Sequence, residues 1–176
     1  MAEQTMIDAS VLIPVYRDTK GELRLILIRR SDNGTHGGHL ALPGGKRDPG
    51  DGSMLDTALR EAWEEIGIPK NRIEILAELP PTETRTTNFR VFPFLGRVIL
   101  PVAWRRNERE VAEIMDVSLV ELAGAEVLDE DIGSAATAAG PRRTPYYRVK
   151  EYELWGLTFR ILRGLMPRLL AGEWKV

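Results

Sequence analysis

The sequence predicts an α/β fold in which a mixed β-sheet lies between helices. Segments 7–16 and 22–29 are rich in β-branched and aliphatic residues, and the turn at 18–21 between them is typical of a β-hairpin. Helical patterns follow at 54–66 and 155–169, with strand-like segments between them. A hairpin excludes a purely parallel sheet, so we expect strands of both directions with a helix on each face.

Length and composition fit a single domain covering residues 1–176. An apolar content of 43% in 176 residues is enough for one sizeable core. The chain has 24 basic and 26 acidic residues and a net charge of −2, which does not indicate nucleic acid or an anionic membrane as a partner. We therefore expect a small-molecule partner, and we leave the oligomeric state open, a homodimer included.

The absence of cysteine excludes disulfides, thiolate catalysis and thiolate metal sites. The first ten residues lack the basic and apolar regions of a signal peptide, and no apolar run approaches the ~20 residues that a membrane-spanning helix requires. We therefore expect a cytoplasmic protein.

Local signals bound the first helix. Ser53 can cap a helix that begins near Met54, and Gly67 can end it. Its apolar stripe consists of Leu55, Ala58, Leu59, Ala62 and Ile66. This stripe predicts the side of the helix that packs on the sheet.

Further elements follow along the chain. A strand at 72–79 ends at Pro80-Pro81, and 116–122 is typical of a strand end followed by a short Ser-capped helix. Segment 124–145 has little periodicity and predicts a mobile loop, either a lid or a disordered insertion. The stripe of the last helix consists of Trp155, Phe159, Leu162, Met166 and Leu169.

The first helix also carries an acidic edge. At about 100° per residue, Glu61 and Glu65 lie about 40° apart, with Glu64 beside them. Crowded carboxylates destabilise a helix and raise one another's pKa values unless a cation lies between them. Oxygen ligands favour Mg²⁺ or Mn²⁺ over zinc. The alternative is a solvated face on which Arg60 pairs with Glu64.

A glycine turn at 42–45 precedes this helix. Two consecutive glycines allow the backbone to approach a metal ion or a phosphate closely. The combination of this turn with the acidic edge favours a binding site over a solvated face.

Segment 42–68 resembles the box of the Nudix hydrolases: glycine, five residues, Glu, seven residues, then Arg-Glu-hydrophobic-x-Glu-Glu-x-Gly-hydrophobic. Residues 60–68, REAWEEIGI, fill its second half, with Ala62 at the hydrophobic position. The first half, from Gly45, is one residue longer and has Asp51 in place of the upstream Glu. Both departures are similar to the coenzyme A pyrophosphatase branch. The resemblance implies a Nudix-like α/β/α sandwich with a mixed β-sheet.

The resemblance implies metal-dependent hydrolysis of a phosphoanhydride in a nucleoside diphosphate derivative, with Mg²⁺ or Mn²⁺ as cofactor. The implied metal ligands are the Gly45 carbonyl, Glu61, Glu64, Glu65 and, more weakly, Asp51. One glutamate, such as Glu64, can instead serve as the base, while Arg60 orients a glutamate.

A further acidic candidate lies outside the box. Segment 107–114 resembles the branch's Asn-x-x-Glu-Val element. Nudix enzymes often use a distal carboxylate to complete metal ligation or to accept the proton of the attacking water. Glu110 is our candidate, although Glu108 and Glu113 are equally capable acids and a surface role remains open.

Several segments outside the box also resemble the coenzyme A branch and supply candidates for substrate binding. These candidates are Arg29, Arg30, His36, Thr84 and Phe89, while Lys46 and Arg47, within the box, could contact phosphate. Lys46 and Arg47 can alternatively balance charge, and Thr84 and Phe89 can belong to an ordinary hairpin with a polar tip. The loop between Arg30 and His36 is one residue shorter than in the branch and lacks a basic residue.

The predicted substrate is coenzyme A or an acyl-CoA. The alternatives are an ADP-ribose or NADH pyrophosphatase and a non-catalytic Nudix-fold nucleotide-binding module. A binding module typically tolerates loss of the box carboxylates, and this chain keeps Glu61, Glu64 and Glu65. The intact box therefore favours an enzyme.

Overall fold

The computed structural model describes residues 6–32, 37–84, 87–131 and 143–176. In chain order their strands are β1 (Ile7–Arg17), β2 (Leu23–Arg30), β3 (Leu40–Ala41), β4 (Gly44–Lys46), β5 (Ile73–Glu78), β6 (Thr82–Glu83), β7 (Phe89–Val98), β8 (Val111–Ser118), β9 (Leu128–Asp131), β10 (Arg143–Val149) and β11 (Tyr152–Trp155). The helices are α1 (Met54–Ile66), α2 (Leu119–Gly124) and α3 (Gly156–Leu170), and Lys70–Arg72 form a 3₁₀ turn.

The main sheet is mixed, as the sequence predicted, and β1 is its central strand. It pairs in parallel with β7 and antiparallel with β2 and β4. Strand β2 also pairs with β3 and β8, and β7 pairs with β5 and β6. A second, smaller sheet has the order β11-β10-β9.

Helix α1 covers one face of the main sheet, and α2, α3 and the smaller sheet cover the other. Alternation along β2 separates the two cores, because successive side chains of a strand point to opposite faces. Ile26 and Ile28 pack with Ile66 at the end of α1, whereas Leu25 and Leu27 belong to the cluster of α3. Each such fully buried side chain contributes roughly 1.5–3 kcal/mol. The predicted α/β/α sandwich is thus confirmed.

The ends of α1 are fixed as the sequence predicted. The Ser53 hydroxyl oxygen accepts a hydrogen bond from the Asp56 N–H at 3.1 Å, and Gly67 closes the helix with φ +75°. An N-cap of this kind contributes about 1 kcal/mol. Ala58 and Ala62 are fully buried against the sheet. This packing fixes the rotation of α1 and therefore the direction of its acidic edge.

The prediction of a structureless loop at 124–145 is wrong in part. Residues 128–131 form β9 and pair with the start of β10, with Tyr146 opposite Leu128. Tyr146 is fully buried, and its hydroxyl bonds Glu130 at 3.2 Å. The strand sequence LDED has no apolar alternation to indicate it, because most of its side chains are polar. The central part of the predicted lid, 132–142, lies outside the described residues.

The last helix begins one residue later than its predicted stripe. Trp155 ends β11 and lies at the N-cap of α3, while Leu165 joins the buried stripe. Nowhere in the described residues is a helix long and apolar enough to cross a membrane.

Candidate active site

The glycine turn lies directly against the acidic edge of α1. A Cβ on Gly44 would lie 2.3 Å from the Ser10 carbonyl oxygen of β1, so only glycine fits this position in β4. A Cβ on Gly45 would lie 2.4 Å from Oε1 of Glu61. The missing side chains therefore allow the Glu61 carboxylate to lie beside the turn backbone.

Glu65 is the most buried acid of the edge, with 2% of its surface exposed. Its Oε2 accepts a hydrogen bond from the Gly44 N–H at 2.9 Å. Burial raises the pKa of Glu65 to about 8, and the nearby charge of Glu61 adds to this effect. The Gly44 N–H and the Arg30 guanidinium on β2 oppose the rise in pKa. A buried carboxyl with such a pKa is typical of a functional site.

Burial decreases from Glu65 to Glu61 and then to Glu64. The Glu61 side chain is 13% exposed, and burial raises its pKa. The Glu64 side chain is 47% exposed. Arg60 Nη1 lies 2.9 Å from Oε1 of Glu61 and 3.2 Å from Oε2 of Glu64. The ion pair of the solvated-face alternative is thus present, but Glu65 is buried and the Glu61 side chain is only 13% exposed.

Arg60 links the acidic loop to the edge. Its Nε and Nη2 donate to Oδ1 and Oδ2 of Asp51, each at 3.0 Å. Asp51 also accepts hydrogen bonds from the Thr57 hydroxyl at 2.8 Å and the Asp48 N–H at 2.9 Å. The Arg60 guanidinium holds the pKa of Asp51 well below its usual range. Both oxygens of Asp51 are therefore engaged by protein donors.

Thr57 was missed by the sequence analysis. It is fully buried on α1, and its hydroxyl holds Asp51 from the helix side. The available signal was a hydroxyl residue directly before the apolar Ala58-Leu59 pair, at a position that helical spacing turns toward the preceding loop.

Glu110 lies beside the edge. The loop that carries it is tied to α1 by a hydrogen bond from the Asn107 N–H to the Glu65 carbonyl oxygen at 3.0 Å. The Ser31 N–H donates to the Glu110 carbonyl oxygen at 2.9 Å. The Glu110 charge raises the pKa of both Glu61 and Glu65.

The two competing acids have other partners. Glu113 forms an ion pair with Lys150 at 2.9 Å, and Glu108 forms one with Arg106 at 3.1 Å. The charge of Glu110, by contrast, raises the pKa of both Glu61 and Glu65. The geometry therefore favours Glu110 among the three.

Of the basic candidates, two lie within the box itself. Lys46 Nζ lies 5.5 Å from the centre of the Phe89 ring, and Arg47 Nη2 donates to the Asp51 carbonyl oxygen at 3.1 Å. The Thr84 N–H and the Phe89 carbonyl oxygen, 2.8 Å apart, close the hairpin between β6 and β7. Thr84 thus has the hairpin role that the sequence left open, whereas Phe89 reaches Lys46.

Arg29 and Arg30 are separated by the sheet. Arg30 faces Glu65 electrostatically, as described above, whereas the Arg29 guanidinium lies 5.2 Å from the centre of the Tyr152 ring of the smaller sheet. The predicted contact of His36 with substrate concerns a residue outside the described ones.

The edge has the donor chemistry of a magnesium or manganese site. Within the described residues, no three acidic or histidine side chains converge closely enough to hold an ion. Glu61 and Glu64 are instead paired with Arg60, and Glu65 accepts the hydrogen bond of the Gly44 N–H. The carboxylates of Glu61 and Glu65 nevertheless lie beside the Gly44-Gly45 turn. Carboxylate and carbonyl oxygens are the ligands that Mg²⁺ and Mn²⁺ prefer. The residues present therefore fit a divalent ion.

Comparison with known proteins agrees with this geometry. A family model described as NUDIX domain matches residues 6–136. An uncharacterized Nudix hydrolase, NudL of Yersinia enterocolitica, is 38% identical over 163 residues, which cover 92% of this chain and 80% of that protein.

Two solved structures share the fold. The Nudix hydrolase RenU of M. smegmatis matches with a TM-score of 0.66 and 17% identity, over 97% of this chain and 89% of that one. The NUDIX domain of Shewanella oneidensis NrtR, complexed with ADP ribose, matches with a TM-score of 0.53 and 18% identity, over 69% and 79% of the two chains.

The fold and the carboxylate edge define a pyrophosphohydrolase that acts on nucleoside diphosphate derivatives. Its class generally uses divalent metal ions such as Mg²⁺ or Mn²⁺. The chain belongs to the NUDIX hydrolase family, which confirms the family resemblance of the sequence.

Proposed function

We propose that this enzyme hydrolyses the diphosphate of coenzyme A or an acyl-CoA. The products would be a phosphopantetheine and adenosine 3′,5′-bisphosphate. The edge that buried Glu65 and largely buried Glu61 form beside the Gly44-Gly45 turn carries the chemical part of this proposal, because such carboxylates are stable as anions only with a cation.

The metal site would consist of Glu61, Glu64, Glu65 and the Gly45 carbonyl. A divalent ion bound there would neutralise the diphosphate, polarise a P–O bond and lower the pKa of a bound water. The protein supplies rigidity, since Glu65 is held by the Gly44 N–H at 2.9 Å and α1 is packed on the sheet.

Asp51 would act as a positioning residue and not as a ligand. Its oxygens already bind Arg60, Thr57 and the Asp48 N–H, so a metal ion would have to displace these donors. Arg60, held in this way, can orient Glu61 through the contact at 2.9 Å. Loss of Asp51 would therefore disturb Glu61 indirectly.

Glu110 would accept the proton of the attacking water. The water oxygen forms a bond to phosphorus, the anhydride P–O bond breaks, and the leaving phosphate departs with the bridging oxygen. Glu110 is exposed, unlike Glu65, and its charge reaches both Glu61 and Glu65. Exposed Glu64 is the other candidate for this proton.

The choice of coenzyme A rests on the resemblance of the lengthened box and of the segments around it to that branch. Lys46 and Arg47 lie within the box and the charge of Arg30 acts on Glu65, so all three can contact phosphate oxygens. ADP-ribose and NADH are the alternative substrates. The NrtR likeness, at 18% identity, bears on the fold alone.

A hydrolysis panel tests the proposal. Purified protein would be incubated with coenzyme A, acetyl-CoA, ADP-ribose or NADH, each with Mg²⁺, Mn²⁺ or excess chelator, and the products identified by mass spectrometry. We expect metal-dependent cleavage, fastest for a coenzyme A substrate. Faster cleavage of ADP-ribose or NADH would overturn the assignment of coenzyme A as the substrate but would still support metal-dependent hydrolysis of a diphosphate. Binding of these nucleotides with no turnover would identify a binding module.

A further inference from the structure

Arg29, near the end of β2, lies in a cluster on the side of the sheet opposite α1. It pairs across strands with Leu40 of β3, which belongs to the buried cluster of α3. Paired residues of neighbouring strands share a face of the sheet. The Arg29 guanidinium lies 5.2 Å from the centre of the Tyr152 ring, and Trp155, also on β11, contacts His39 edge-on at 5.1 Å.

Arg29 makes poor contacts for a purely structural arginine. Within the described residues its Nε is buried and has no hydrogen-bond partner, which is a destabilising arrangement for a polar group. Its ion pair with Asp32 is 3.5 Å long, and the Asp32 side chain is 85% exposed. An exposed pair of this kind contributes little to stability. Glu113, which pairs with Arg29 across β2 and β8, shares this face of the sheet, and its carboxylate is paired with Lys150 at 2.9 Å. Among the described residues, Arg29 thus has no ion pair shorter than 3.5 Å.

The cluster lies next to the catalytic edge along the chain. Arg30, the next residue, acts on Glu65 from the other face, and the Ser31 N–H bonds the Glu110 carbonyl oxygen at 2.9 Å. A substrate whose diphosphate lies at the edge can therefore extend past the end of β2 toward Arg29. The nearby cation of the smaller sheet, Lys150, is already paired with Glu113 at 2.9 Å.

We propose that Arg29, supported on the Tyr152 ring, binds a phosphate-monoester group that the substrate carries in addition to its scissile diphosphate. A planar guanidinium presents paired N–H donors that match phosphate oxygens. The inference rests on the proposed function, and in coenzyme A this group is the ribose 3′-phosphate. Arg29, and not Arg30, is thus the specificity-determining arginine, and Tyr152 is a positioning residue.

Steady-state kinetics test the assignment. We would compare kcat/KM for coenzyme A and dephospho-coenzyme A in wild type, Arg29→Gln and Arg148→Gln. Arg148 is a matched control, because its guanidinium lies 5.3 Å from the centre of the Tyr146 ring in the same small sheet. A charge-assisted hydrogen bond contributes about tenfold or more to selectivity. We expect Arg29→Gln to lose that preference and keep its activity on the dephospho substrate, while Arg148→Gln matches wild type.

A binding measurement separates this inference from the proposed function. Calorimetry would compare adenosine 3′,5′-bisphosphate with AMP for wild type and Arg29→Gln. If coenzyme A is not the preferred substrate, the proposed function fails, but tighter binding of the bisphosphate that Arg29→Gln abolishes still supports the subsite. Equal binding of the two nucleotides by wild type would overturn the subsite. So would an equal loss of activity on both coenzyme A substrates in Arg29→Gln, which would indicate a structural role.

Discussion

The N–H of Gly44 donates to Oε2 of Glu65 across 2.9 Å, joining the glycine turn to the most buried acid of α1. Gly44 itself is fixed by its pairing with Val11 on the central strand. The position of the Glu65 carboxylate is therefore determined by the sheet as well as by its own helix. This contact links the stability of the fold to the chemistry of the edge.

Replacing Glu65 by Gln should lower kcat by at least about 10²-fold, because one preorganised charge in a water-poor site commonly contributes that much. The fold should persist, since Gln is nearly isosteric and can accept the Gly44 hydrogen bond. Initial rates with Mg²⁺ and circular dichroism would check both points. Exposed Glu121 on α2 supplies the control, Glu121→Gln. Undiminished turnover, or full activity in chelator, would show the edge to be a solvated face.

The same variant should stabilise the metal-free protein at high pH. The pKa of Glu65 is about 8 in the folded chain, above its ordinary value of 4.5. The contribution of Glu65 to the free energy of unfolding is therefore greatest below pH 4.5. It falls by roughly 4 kcal/mol as the pH rises toward 8. Glu65→Gln removes this loss. Urea unfolding of both proteins in chelator at pH 5, 6.5 and 8 should show the gap between them widening with pH. A gap that does not change with pH would contradict the assignment.

Glu110→Gln should lower kcat by a larger factor than it changes KM, because the proton acceptor is removed. It should also flatten the acidic limb of the pH–rate profile. The matched change is Glu113→Gln, which breaks only the ion pair with Lys150. Full pH profiles of kcat for the two variants would compare them. If Glu113→Gln proves more damaging, the distal base is misplaced.

Gly45→Ala should weaken metal binding with little loss of stability. The added Cβ would lie 2.4 Å from Oε1 of Glu61, and this carboxylate is the end of a flexible side chain that can move away. Gly50→Ala is the control, because nothing lies within 4 Å of its added Cβ. Titration with Mn²⁺, followed by activity, should give a higher half-saturating concentration for Gly45→Ala alone. Equal curves would show that Glu61 does not need this space.

Local signals account for what the sequence predicted well. Ser53, Gly67 and the apolar spacing between them define α1 within a few residues, and the acidic edge follows from helical geometry. Contacts between distant segments could not be predicted in this way. The contact of Arg29 with Tyr152 joins strands that are far apart in the sequence, and the pairing of β9 with β10 involves a strand whose sequence carries little periodicity.

The hydrogen bonds that join Arg60, Asp51 and Thr57 could be predicted only in part. Their residues are close in the sequence, but the loop conformation that brings Asp51 over the helix is set by the Asp48 N–H and is not visible in spacing alone. The sequence therefore named Asp51 and Arg60 as site residues without indicating that they bind each other.

Main-chain hydrogen bonds from Asn107 to Glu65 and from Ser31 to Glu110 hold the loop that carries Glu110. Every residue except proline has a main-chain N–H, and every residue has a main-chain carbonyl. A side chain of this loop can therefore be replaced without loss of these hydrogen bonds. Glu108 is 81% exposed and the natural chain has no cysteine. A single cysteine introduced at position 108 would therefore be a unique attachment point for a fluorescent dye, placed two residues from Glu110 to report on nucleotide arrival in real time.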